Sequence, residues 1–288
     1  MSTPVMQVRL SASYGSRAVL NNLCFEIEAG EALGMVGTSG AGKSTLAMAL
    51  LGLLPWRGGN ATGEVLVDGR NLLTLPAREA RLMRGRIISL VPQSPMTALN
   101  SAVSLQAHFD AAWRAHESAG QKALSARLDP LMEEVQLPAG NEFLRRKPGQ
   151  ISVGQAQRVL IALALLHRPS ILIADEPTSA LDPVTQAEIL RLLRQLNQQH
   201  ATALLYISHD LVSVLQLCGR LAVLHAGALA ECLPVAQIEQ ARHPATLALL
   251  RSLPIPVSAL LAYGREALEA SNPAKLSEFE TVCARNEG

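Results

Sequence analysis

The stretch Gly37-Thr38-Ser39-Gly40-Ala41-Gly42-Lys43-Ser44-Thr45 decides the fold class. It follows a compact apolar run over residues 32–36 and opens a helical pattern over residues 43–54, the strand–loop–helix setting that a phosphate loop needs. Its glycines let the backbone wrap so that N–H groups point at phosphate oxygens, and the helix N-terminus adds the positive end of its dipole. In that geometry Lys43 contacts the β- and γ-phosphates and the Ser44 hydroxyl ligates Mg²⁺. At ordinary glycine content the pattern arises by chance in roughly one such chain per hundred. These residues point to a nucleoside triphosphate site.

A second segment completes the chemistry. Ile171-Leu172-Ile173-Ala174-Asp175-Glu176 is an apolar strand ending in two acids. Asp175 is placed to hold Mg²⁺ through water, and Glu176 to orient or deprotonate the attacking water. Alone, two acids at a strand end would read as caps of a turn; beside a phosphate loop the catalytic reading prevails.

Outward from these motifs, strands and helices alternate. Helices are expected over residues 155–167, 184–199 and 211–219, and strands over 171–174, 203–208 and 221–225. That alternation argues for an α/β core around a parallel sheet covered on both faces. Residues 1–30 read as short alternating strands turning at Tyr14-Gly15 and Ala29-Gly30, and residues 64–68 as another short strand. The helix opened by Lys43 is expected to stop at Pro55 and Gly58-Gly59. Two helices over residues 105–119 and 121–135, parted by Gly120, form an insert, and a tail follows about residue 240.

Composition narrows the function classes. Of 288 residues, 49% are hydrophobic and only 17% charged, which excludes an extended disordered chain. The net charge of +1 provides no global field for nucleic acid or an anionic membrane, and 3% aromatic residues are too few for a base-stacking platform. The cysteines Cys24, Cys218, Cys232 and Cys283 form no C-x-x-C pair, so reduced structural thiols are expected, with no metal or iron–sulfur cluster. The first ten residues lack a basic segment followed by an apolar run, and no stretch offers the ~20 apolar residues that span a bilayer.

Four motifs, in order and spacing, resemble the nucleotide-binding subunit of an ABC transporter over about residues 5–255: the phosphate loop, Ile151-Ser152-Val153-Gly154-Gln155, Asp175-Glu176, and Ser208-His209-Asp210. The resemblance implies a P-loop NTPase core with a mostly parallel sheet, an N-terminal antiparallel β subdomain, and a helical insert at about residues 94–150. The remaining residues, 256–288, read as a C-terminal tail. It also implies roles for single residues. Ile151 to Gln155 stands where the family carries its signature, and Ser179-Ala180-Leu181-Asp182 its D-loop. Gln93 matches the Q-loop glutamine, which joins Ser44 and Asp175 around Mg²⁺. His209 matches the switch histidine and Tyr14 the aromatic that stacks on adenine. In such proteins two subunits meet head to tail, so that Ser152 and the N–H groups at Gly154-Gln155 hold the γ-phosphate of ATP bound to the partner. ATP joins the pair and hydrolysis releases it.

One signature position departs from the family pattern: Val153 replaces a glycine. If that position needs positive φ, a β-branched residue there costs on the order of 1–3 kcal/mol, and the site formed by this signature is expected to hydrolyse more slowly.

Pro92-Gln93-Ser94-Pro95-Met96-Thr97-Ala98-Leu99-Asn100 and His243-Pro244-Ala245-Thr246 are similar to elements of the ATPases that serve oligopeptide, dipeptide, nickel and metallophore importers. Ala245 and Ser101 depart from that branch's usual residues. The resemblance implies two membrane-spanning permease subunits, a second and different ATP-binding subunit in preference to a homodimer, and an extracytoplasmic substrate-binding protein. It implies no nucleic acid, and a peripheral position on the cytoplasmic face of the plasma membrane. A soluble ATPase of this family acting on DNA or ribosomes would show a coiled coil, paired cassettes or a basic extension. A non-hydrolysing scaffold would not need Glu176, His209 and Gln93 together.

Overall fold

The computed structural model describes residues 4–253 and 255–260. Strands β1 (Met6–Tyr14) and β2 (Arg17–Ile27) pair antiparallel, with Met6, Val8 and Leu10 buried and Gln7 and Arg9 exposed, as a half-covered sheet requires. Strand β3 (Ala32–Val36) is buried at every residue and leads through the glycine loop into helix α1 (Lys43–Leu50). This helix stops four residues before the expected end, because Gly52 at φ +63° turns the chain into a 3-10 turn over Leu54–Arg57. Strand β4 (Gly59–Val67) starts earlier than its apolar pattern suggested. It pairs with the whole of β1, from Tyr14–Gly59 to Met6–Val67, so that backbone pairing recruits the polar residues 60–63. The two-residue strand β5 (Arg70–Asn71) completes a four-stranded sheet of order β2-β1-β4-β5.

Helix α2 (Ala77–Met83) and strand β6 (Ile88–Val91) lead into the insert, made of α3 (Pro95–Ala98), α4 (Leu105–Arg114), α5 (Gln121–Glu134) and α6 (Asn141–Arg145). Helix α4 begins where read, with Ser104 accepting from the Ala107 N–H, but ends at Arg114 rather than residue 119. The chain continues through α7 (Val153–Leu165), β7 (Ile171–Asp175), α8 (Pro183–His200), β8 (Ala203–Ser208), α9 (Leu211–Leu217), β9 (Arg220–His225), β10 (Ala228–Pro234) and α10 (Pro244–Arg251). Strands β6 and β10 carried no separate expectation.

The second sheet has the order β10-β9-β3-β8-β7-β6, parallel throughout except for β10 on β9. Strand alternation divides its buried residues between two cores. Leu33, Met35, Ile173 and Leu205 pack with α1 and the antiparallel sheet, whereas Val36, Ala174, Leu204 and Tyr206 pack with α7, α8, α9 and the insert. Both faces are therefore covered, which explains why β3, β7 and β8 are apolar runs rather than alternating ones. The fold is α/β, a P-loop NTPase core with an antiparallel β layer and a helical insert. Of the tail helix read over residues 260–270, only Leu260, which is buried, lies within the described residues, and Cys283 lies outside them.

Candidate functional site

Neighbouring parallel strands end at the same edge of their sheet, so the loops that follow them converge there. β3, β8, β7 and β6 are adjacent in that order, and they are followed by the phosphate loop, His209, Glu176 and Gln93. The structure brings these four together. Gln93 Nε2 donates to Glu176 Oε2 at 3.1 Å, His209 Nδ1 lies 3.1 Å from the same oxygen, and Lys43 Nζ stands 3.5 Å from Glu176 Oε1.

The loop itself is shaped by close approach. Gly42 sits at φ +105°, and a Cβ there would lie 2.6 Å from Leu20 Cδ2, while one on Gly37 would lie 2.5 Å from the Leu224 carbonyl oxygen. Neither position accepts a side chain. Lys43 is buried and donates to the Gly37 carbonyl at 2.8 Å and to the Thr38 carbonyl at 3.4 Å, which directs its ammonium into the mouth of the loop. Ser39, Gly40, Gly42, Lys43, Ser44, Thr45, Gln93 and Glu176 line a cleft of about 330 Å³. Val19 of β2 is an added wall that sequence reasoning missed, because an aliphatic residue on an edge strand carries no functional signal.

Glu176 adopts φ +47°, a left-handed conformation costly for a residue with a Cβ, and its N–H donates to the Ile207 carbonyl at 2.8 Å. This turn swings the carboxylate off the line of β7 and into the cluster. Asp175 remains on the strand, and burial pushes its carboxyl above the usual range, although the hydrogen-bonded Ser44 hydroxyl opposes the shift. Its Oδ1 is buried without a hydrogen-bond partner. A carboxylate oxygen orphaned beside a hydroxyl is the donor chemistry that suits a hard divalent cation, so Asp175 and Ser44 fit Mg²⁺. Gln93 uses its amide N–H on Glu176, and its carbonyl oxygen is what it can offer a cation.

The signature and D-loop residues do not line this cleft, although Ser179 closes onto the carbonyl of Glu176, which does. Ser152 caps α7 by accepting from the Gln155 N–H at 3.1 Å, and the Gln155 side chain accepts from the Ser152 N–H at 3.1 Å, a closed capping box. Asp182 caps α8, and hydrogen bonds from the Thr185 hydroxyl and N–H hold its carboxyl below the usual range. Gly154 packs against Thr185, where a Cβ would come within 2.7 Å of the threonine methyl, so the two helix starts are fixed to one another. Arg158, one turn into α7, donates to the Val135 carbonyl at 3.1 Å and pairs with Glu188 at 2.8 Å, tying α5, α7 and α8 together.

Val153 is the first residue of α7 and has no positive φ. The backbone-strain ground for a slow signature site is thereby overturned. What remains is an exposed isopropyl group, 40% accessible, beside Ser152. Tyr14 does not line the phosphate cleft either; its ring stands over Gly59, at the open end of the β1–β4 pair.

Comparison with known proteins agrees with this geometry. The sequence profile described as ABC transporter matches residues 20–179. The chain is 37% identical over 262 residues to the probable D,D-dipeptide transport ATP-binding protein DdpD of Escherichia coli, covering 88% of this chain and 80% of that one. It is 37% identical to the oligopeptide transport ATP-binding protein OppD of the same organism (86% and 74% covered) and 36% identical to the dipeptide transport ATP-binding protein DppD of Bacillus subtilis (88% and 76%). Among solved structures, the dimeric ATP-binding cassette MJ0796 in a post-hydrolysis state with ADP and phosphate superposes with a TM-score of 0.69 at 26% identity, covering 80% of this chain and 98% of that one. With its phosphate loop, paired acids and converging glutamine and histidine, the chain belongs to the ABC transporter family, as an ATP-binding and ATP-hydrolysing subunit.

Proposed function

We propose that this chain hydrolyses Mg²⁺-bound ATP to drive an importer of peptides, working head to tail with a second, different ATP-binding subunit. The observation that carries the hydrolytic part is the convergence of Lys43, Gln93 and His209 on the Glu176 carboxylate. The peptide cargo is supported by the names of the relatives above, each of which is a peptide or dipeptide transport protein. Residues 1–255 form the working cassette, with the insert at 94–150.

The phosphate loop and the N-terminus of α1 bind the triphosphate, and among the described residues Lys43 is the ammonium in the cleft lining that meets its γ end. Arriving phosphate competes with Glu176 for Lys43 and leaves the carboxylate to hold a water between itself and His209. Ser44 and Asp175, with Gln93 nearby, would hold Mg²⁺, which would supply neutralisation of charge on the phosphate oxygens. Glu176 takes the proton of the attacking water, His209 contacts the γ-phosphate, and Tyr14 stacks on the adenine. Ser152, Gly154 and Gln155 close on the nucleotide of the partner subunit, next to Asp182. These residues stand at the start of α7 and do not line the chain's own cleft, which supports a shared site.

Among the described residues no helix is long and apolar enough to cross a membrane. A peripheral place on the cytoplasmic face therefore calls for docking on two permease subunits. Exposed Met96 and Val103, on either side of Asn100 in the segment after Gln93, support that contact. An extracytoplasmic binding protein would deliver the cargo.

The test is a membrane pull-down through the tagged full chain, followed by binding assays on the recovered binding protein with peptides and with metal chelates. Two permeases, a distinct ATPase and peptide binding are expected. Recovery of ribosomes, DNA factors or this chain alone would overturn the transporter reading, and chelate binding would move the cargo to metals. Val153→Gly is expected to raise steady-state ATP turnover by about twofold to tenfold, because it clears an isopropyl group from the face that meets the partner nucleotide. An unchanged rate, measured by phosphate release in the assembled complex, removes the asymmetric-site idea.

A further inference from the structure

Tyr206 is a buried tyrosine that the reaction described above does not use. It lies on β8, two residues before Ser208, with 0% exposure, and it faces the helical core. Its hydroxyl has two partners, Thr178 Oγ1 at 3.2 Å and Ser213 Oγ at 3.2 Å, both buried. Thr178 stands two residues after Glu176, and Ser213 lies in the first turn of α9, four residues after His209.

Proton accounting gives this chain a direction. Ser213 Oγ donates its single proton to the Asp210 carbonyl at 2.9 Å, so it accepts from Tyr206. Tyr206 has then used its own proton and accepts from Thr178. The run Thr178, Tyr206, Ser213, Asp210 carbonyl therefore starts in the loop of Glu176 and ends on the residue after His209. Burial pushes the Tyr206 hydroxyl up to about 12, which keeps it a donor at any working pH.

The run adds a second tie between the two loops to the one that the Glu176 N–H makes with the Ile207 carbonyl at 2.8 Å. Glu176 is held at φ +47°, and a strained turn persists only where its surroundings hold it. Within its loop, the Ser179 N–H and hydroxyl both close back on the Glu176 carbonyl, at 3.3 and 3.1 Å, so the turn is a small closed unit. Thr178 anchors that unit into the core. On the other side, Asp210 accepts from the Val212 and Ser213 N–H groups at 2.9 and 3.1 Å, which makes the residues after His209 equally rigid.

We infer that Tyr206 is a positioning residue for ATP hydrolysis: its hydroxyl keeps the loop of Glu176 in register with the loop of His209. The inference rests on the proposed roles of Glu176 and His209. It requires no contact between Tyr206 and nucleotide, and Tyr206 does not line the cleft.

The test compares Tyr206→Phe, which removes one oxygen from a buried ring, with Ser213→Ala, which cuts the run at its other end, and with Glu176→Gln, all in the full chain. Tyr206→Phe is expected to lower kcat about tenfold while leaving KM for ATP and nucleotide affinity unchanged. The double variant Tyr206→Phe/Ser213→Ala is expected to be no slower than the slower single one, because both break the same run. Wild-type kcat in Tyr206→Phe, alongside an inactive Glu176→Gln, would overturn this inference and leave the roles of Glu176 and His209 intact. Parallel losses in kcat, nucleotide affinity and melting temperature would reduce Tyr206 to a packing residue and also overturn it. Full turnover in Glu176→Gln would remove the underlying reading and this inference with it.

Discussion

Glu176→Gln is expected to lower ATP turnover by about two to four orders of magnitude while ATP binding is retained. The substitution keeps the side chain's size and an oxygen for Gln93 and His209, which stand 3.1 Å from Oε2. It removes the group proposed to accept the proton of water. Binding is retained because the loop N–H groups and Lys43 are untouched, and Lys43 keeps its carbonyl partners on Gly37 and Thr38. The loss of the carboxylate at 3.5 Å makes the Lys43 ammonium more available to phosphate, so affinity for ATP should hold or rise. In the proposed head-to-tail pairing hydrolysis separates the pair, so the ATP-bound dimer should accumulate. Phosphate release together with light scattering in ATP checks both halves. Turnover near that of the unmodified protein would remove Glu176 as the base.

Asp175→Asn is expected to divide stability from function. Burial raises the Asp175 carboxyl above its ordinary value, so the folded protein binds this proton more tightly than the unfolded chain. The associated stability is present below the unfolded pKa and is lost as pH rises through the folded one; at neutral pH the ionised group is a cost to folding. Asn removes that cost, and the melting temperature without nucleotide should rise by ~2–4 °C per kcal/mol recovered. The same change takes away the unpartnered oxygen that fits Mg²⁺, so Mg²⁺-dependent turnover should fall by about two to three orders of magnitude. The extra stabilisation that Mg²⁺ and ATP give the unmodified protein should disappear with it. Mg²⁺-supported ATP binding in the unmodified protein should also fade at a higher pH, on acidification, than an exposed aspartate would dictate. A lower melting temperature for Asp175→Asn would contradict the burial argument.

Both predictions depend on residues that were found as motifs, yet their geometry was not. The phosphate loop, β3, β7 and β8 could be read from the chain because their signals are local: a glycine spacing, an uninterrupted apolar run, two acids at a strand end. Length and polarity misled where pairing decided the outcome. β4 extends over residues 60–63 because β1 supplies hydrogen-bonding partners along its whole length. α1 ends early because one glycine takes a left-handed turn. Val153 shows the reverse case, in which a suspected backbone conflict vanishes because the residue opens a helix.

The sequence by itself determined the chemistry available: a loop for phosphate, two acids, a glutamine, a histidine and a serine-capped signature. It also determined the α/β class, since strands buried on both faces must be apolar throughout. Only the tertiary structure decided which of these groups meet. Gln93, Glu176 and His209 are far apart in the chain and share one carboxylate because β6, β7 and β8 lie side by side and end at one edge. The left-handed turn at Glu176 and the hydroxyl run through Tyr206 have no local signature, because they arise from the packing of loops that sequence order keeps apart.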